Sequence, residues 1–77
     1  MHDGKIIRYI RLLRGISQKG AGMEMSISQQ AFAKLEMQPS VTEEKLHAIL
    51  KALNATQKEF EDIKLLLYPP PGKNPKE

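Results

Sequence analysis

Few side chains in this sequence are equipped for covalent or acid–base chemistry. There is no cysteine, so thiolate nucleophiles, thiolate metal ligands and disulfides are excluded. His2 falls in an expected frayed terminus and His47 beside Leu46 on a helix, far apart in the chain. Neither has a second ligand close by, so no metal is expected. The acids Glu43-Glu44 and Glu59-Glu61-Asp62 fall where helices begin, and the helix dipole accounts for them without catalysis. With no nucleophile–base pair and no glycine-rich phosphate loop, neither an enzymatic activity nor a cofactor is expected. What remains is hydrogen bonding and charge. Ser28-Gln29-Gln30 sets two amides at a helix start, each able to donate and accept at once, and Lys34 follows one turn later. The chemistry on offer is recognition.

Five helices must position these groups, because β-branched residues never alternate while helical spacing recurs throughout. The first helix is expected from about Gly4 to Arg14, with Asp3 as its N-cap, Ile6, Ile7, Ile10 and Leu13 as its apolar stripe, and Gly15 as its stop. A second runs from about Gln18 to Met25 behind a Ser17 cap, and a third from Gln29 to about Met37 behind Ser28, ended by Pro39. The fourth starts near Ser40 or Thr42, turns Leu46, Ile49, Leu50 and Leu53 to one side and stops at Asn54. Thr56 and Glu59 have capping-box spacing for a fifth, with Phe60, Ile63, Leu66 and Leu67 inward. Tyr68-Pro69-Pro70-Pro71 ends it. The methionines fall mostly at core spacings. The expected fold is thus all-α, with residues 1–68 as one domain and 69–77 as a proline-rich, polar C-terminal tail. At 77 residues, 40% hydrophobic and 27% charged, the chain has the composition of one small globular domain.

The second and third helices carry the most specific pattern. Where one helix crosses another at close range after a tight turn, the first needs a residue with almost no side chain near its middle, and Gly22 stands there. Ala21, Met25, Ile27, Phe32 and Leu35 suit the shared core, and Ser26 occupies the turn where glycine is commonest. Gly20 and Gly22 should each cost the second helix about 1 kcal/mol relative to alanine.

Ile10-Arg11, Gly15-Ile16-Ser17-Gln18, Ile27-Ser28-Gln29-Gln30, Leu35-Glu36 and the run from Leu46 to Leu53 together resemble the DNA-binding domain of lambdoid phage repressors and the Xre family. The likeness covers roughly residues 5 to 67. It implies a compact five-helix, repressor-like domain with a central helix-turn-helix, binding double-stranded DNA sequence-specifically as a small transcriptional regulator, a repressor. Gln29, Gln30 and Lys34 would then meet bases. A glutamine amide matches the N7 acceptor and N6 donor of adenine. Ser17, Gln18, Lys19 and Arg14 would meet phosphates, with Lys5 and Arg8 as further cations, although Ser17 serves equally as a plain N-cap. Arg11 and Glu36 would form a structural pair between the first and third helices. The segment after the third helix is often basic in the family, whereas Met37-Gln38-Pro39-Ser40 has no cation.

Charge supports a polyanionic partner. Residues 1–38 hold six cations against three acids, whereas residues 39–77 hold six of each, so all of the net +3 lies in the first half. One recognition helix defines few base pairs, so a two-fold homodimer on a palindromic site is expected, joined through the fourth and fifth helices or Tyr68 to Pro71. Leu65, off the apolar stripe, would contribute to it. The competing reading is a protein-interaction module, such as an antitoxin or adaptor on the same fold. The lack of cysteine and of any long apolar run fits a cytoplasmic protein with no membrane segment, and no small-molecule substrate is suggested.

Overall fold

The computed structural model describes residues 2–72. They form five helices and no strand: α1 Asp3–Leu13, α2 Gln18–Glu24, α3 Gln29–Glu36, α4 Glu43–Ala52 and α5 Gln57–Leu67. Residues 73–77 of the expected tail, and Met1, lie outside this range. Among the described residues no helix is long and apolar enough to cross a membrane.

One three-residue junction recurs at the ends of α1, α2 and α4. Gly15, Ser26 and Asn54 each take a left-handed conformation, with φ of 68°, 59° and 56°. The next residue, Ile16, Ile27 or Ala55, returns its amide to a carbonyl five residues back: Arg11, Gly22 or Leu50. The left-handed residue donates three back, to Leu12, Met23 or Lys51. These are the paired bonds of a Schellman stop. Each of the three apolar residues packs against the core. The third residue, Ser17, Ser28 or Thr56, caps the following helix by accepting from the amide of Gly20, Ala31 or Glu59. Stop, core anchor and start are therefore compressed into three positions. Ser26 carries the strain of a left-handed side chain, about 1 to 2 kcal/mol, which glycine would relieve. Thr56 and Glu59 complete the expected capping box.

The connection from α3 to α4 is held by α1. Asp3 and Gly4 donate their amides to the carbonyls of Pro39 and Gln38, at 3.1 and 2.9 Å. Asp3 Oδ2 accepts from the Val41 amide at 3.0 Å. Asp3 is thus inside the first turn rather than its cap; His2 is the N-cap and makes no side-chain cap bond. Nor is His2 frayed, since its ring stacks on Tyr68 with centroids 3.7 Å apart.

The core is built from Ile6, Ile7, Ile10, Ala21, Phe32, Leu35, Leu46, Ile49, Leu50, Leu53 and Phe60. Met25, Ile27 and Ile63 pack against its margin. Three expected apolar contributors are exposed instead. The buried face of α1 is widened toward Gly4 and Arg11, leaving Leu13 at the opposite edge and 59% exposed. Leu66 lies roughly 120° round the helix from Phe60 and is 72% exposed. Leu67 shares the Phe60 line but sits in the last turn, beyond the core, and is also exposed. The methionines, expected mostly at core spacings, depart from this at Met23 and Met37, which face solvent.

Two glycines sit where backbone meets backbone. A Cβ on Gly22 would lie 2.9 Å from the Ile27 carbonyl oxygen and 3.0 Å from that of Ser28; one on Gly4 would run into the Glu36 carbonyl. Gly22→Ala should therefore destabilise by about 1 to 3 kcal/mol despite alanine's better helix propensity, and Gly4→Ala by at least as much. Thermal unfolding of the two variants measures this, and an unchanged midpoint in either would contradict the close approach.

Candidate functional site

The sequence brings α3 out of the core on one side only. Phe32, Leu35 and Glu36 are buried, while Gln29, Gln30, Lys34 and Met37 are exposed and Ala33 is half-buried. At 100° per residue the last five share an arc of roughly 140°. The Ser28 hydroxyl caps the helix by accepting from Ala31 at 3.0 Å. The two glutamines follow directly, in its first turn, and neither side chain is tied to a partner among the described residues. Lys34, in the last turn, is likewise unpaired among the described residues.

Beneath this face lies a buried polar knot. Arg11 Nε donates to Glu36 Oε2 at 2.5 Å, and a second guanidinium nitrogen approaches Oε1 at 3.4 Å. The remaining terminal nitrogen donates to the Ile16 carbonyl at 2.8 Å. Both residues are only 7% exposed. Gln18 Nε2 donates to Glu36 Oε1 at 2.9 Å. One carboxylate of α3 is thereby held from α1 and from the first residue of α2. Among the described residues no buried side-chain nitrogen or oxygen lacks a partner.

The residues expected at phosphates are in different situations. Ser17 caps α2 through Gly20 at 2.9 Å. Lys19 is exposed and unpaired among the described residues. Gln18, half-buried, gives its amide hydrogen to Glu36, a role that spacing alone did not reveal. Arg14 departs most. One of its terminal nitrogens donates to both Glu59 oxygens, at 2.6 and 2.5 Å, and to the Asn54 carbonyl at 3.2 Å. It links the end of α1 to the start of α5. The Arg14 guanidinium, with the Thr56 amide assisting, holds the Glu59 carboxyl below its ordinary pKa. No sequence signal joined Arg14 to Glu59; the capping box marked Glu59 for Thr56 alone.

Together these features define a small five-helix, all-α domain that exposes the polar face of its third helix. No protein-family model, curated protein or solved structure matches the chain.

Breaking the buried pair should cost more than replacing it. Glu36→Leu or Arg11→Met leaves a buried group uncompensated and should destabilise by about 3 to 5 kcal/mol, whereas the two changes together should cost markedly less than the sum. A double-mutant cycle in urea measures the coupling; additive losses would contradict it. The Arg14–Glu59 contact should show in pH dependence. Because the folded Glu59 pKa is lowered, its stabilisation is present above the unfolded pKa and is lost as pH falls through the folded one. Wild type should exceed Glu59→Gln in thermal midpoint at neutral pH, with the gap closing in acid. A gap independent of pH would assign the effect to capping rather than charge.

Proposed function

We propose that this protein binds double-stranded DNA sequence-specifically as a small, Xre-like transcriptional regulator, with α2 and α3 acting as a helix-turn-helix and α3 entering the major groove. The observation that carries this reading is the exposed arc of α3. Gln29 and Gln30 stand free in its first turn and Lys34 one turn on, while the opposite face is anchored by Phe32, Leu35 and the Arg11–Glu36 pair. A rigid helix presenting unpaired amides at its N-terminal end is the arrangement that base reading requires.

The charge pattern supports the same reading. Of the six cations in residues 1–38, Arg11 and Arg14 are neutralised by Glu36 and Glu59. Lys5, Arg8, Lys19 and Lys34 are unpaired among the described residues, available to phosphates. Arg14, occupied by Glu59, is the weakest of the phosphate candidates. A two-fold homodimer is part of the proposal, since one α3 specifies few base pairs. The exposed Leu65, Leu66 and Leu67 of α5 supply apolar surface for it. The operator would be an imperfect palindrome with half-sites about one helical turn apart.

Selection of bound duplexes from a randomised pool tests the proposal and supplies the preferred site. On that site Gln29→Ala or Gln30→Ala should each lose about 1 to 3 kcal/mol, with binding to random duplex nearly unchanged. Equal losses on both duplexes would remove the base-reading assignment. Binding to a protein partner with no salt-dependent DNA affinity would favour an interaction module instead.

A further inference from the structure

The segment after α3 has no cation of its own, yet the fold brings two beside it. A cleft of about 560 Å³ opens between the first half of α1 and the C-terminal end of α3, lined by His2, Lys5, Arg8, Met37, Gln38 and Pro39, with Glu36 at its back. Lys5 and Arg8 are one helical turn apart on α1. Both are exposed, and neither makes an ion pair or hydrogen bond among the described residues. The carboxylate that lines the cleft and two of its carbonyls already have partners. Glu36 is held by Arg11 and Gln18, and the Gln38 and Pro39 carbonyls accept from Gly4 and Asp3. The cleft therefore holds two positive charges unpaired among the described residues, beside a carboxylate already held by Arg11.

We infer that Lys5 and Arg8 form the phosphate clamp for the strand at the far edge of the groove, supplying from α1 the contacts that Met37-Gln38-Pro39-Ser40 lacks. The inference rests on the DNA-binding reading and adds to it where the backbone is gripped. Its scale is set by α3. Gln30 and Met37 are seven residues apart, about 10 Å along a helix axis, against a major groove about 12 Å wide. With Gln30 on base edges, the end of α3 reaches the groove wall, and the cleft beside Met37 meets the sugar-phosphate backbone. The amides of Asp3 and Gly4 are spent on the Pro39 and Gln38 carbonyls, so the grip comes from the two side chains.

The test compares wild type, the double variant Lys5→Gln with Arg8→Gln, and Lys58→Gln on α5, measuring binding to the selected duplex and to random duplex between 50 and 200 mM salt. Both target residues are exposed and unpaired, so unfolding of the double variant should match wild type. The double variant should lose affinity for both duplexes by the same factor. Its log–log salt slope should be shallower by about 1.8, so that wild type loses about tenfold more affinity across that salt range than the variant does. Lys58→Gln should leave the slope unchanged. An unaltered slope in the double variant, with wild type still salt-dependent, would overturn the clamp and leave base reading by α3 standing. A loss confined to the selected duplex would also overturn it, since phosphate contacts carry no sequence preference. Wild type without salt-dependent binding to either duplex would overturn the DNA reading and the clamp together.

Discussion

Three of the five helices meet at one carboxylate. Glu36, at the end of α3, accepts from Arg11 of α1 and from Gln18 at the start of α2, and Arg11 uses its remaining nitrogen on the Ile16 carbonyl between them. A buried charge is tolerated only when its partners are complete, so this knot fixes where α3 can sit relative to α1 and α2. Apolar contacts alone would permit small slides and rotations. A bidentate guanidinium and an amide aimed at two particular oxygens permit few. The direction in which Gln29, Gln30 and Lys34 point depends on that restriction, because they share a short, eight-residue helix with Glu36.

The same economy governs the connections. At the ends of α1, α2 and α4 a left-handed residue, an apolar anchor and a hydroxyl cap follow one another without a spare position. A chain this short buries a smaller fraction of its surface than a larger domain does, and long loops would add ordering cost with no core in return. The exception is the stretch from Met37 to Thr42. There Thr42 still caps α4, and α1 holds the longer segment through the amides of Asp3 and Gly4 and the Asp3 carboxylate. That attachment also sets the cleft in which Lys5 and Arg8 stand beside Met37.

Charge is sorted by the fold as well as by the sequence. Arg11 and Arg14 serve as internal ties, one buried against Glu36 and one exposed against Glu59. The remaining cations of the first three helices are exposed. Exposed ion pairs contribute little to stability, so the Arg14 contact is better regarded as orienting α5 than as a large source of stability. Lys5, Arg8, Lys19 and Lys34 are left as the exposed, unpaired cations of the first half among the described residues.

Local rules were legible in the sequence because they act within a few residues. Ser17, Ser28, Thr42 and Thr56 cap their helices, Gly15 and Asn54 end them, and Gly22 stands at the close approach, each through contacts with near neighbours in the chain or with an adjoining turn. Five helices followed from that. The limits of each buried face did not, since apolar spacing defines a stripe but not its edges. Leu13 and Leu66 fit the period and are exposed, because α1 turns toward Gly4 and Arg11 and α5 is centred on Phe60 and Ile63. Long-range polar partners were equally out of reach. Asp3 looks like an N-cap and instead holds Val41; Arg14 looks like a free cation and instead holds Glu59. Each such choice is made by a competition between groups 38 to 45 residues apart, and only the assembled fold brings the competitors within hydrogen-bonding distance.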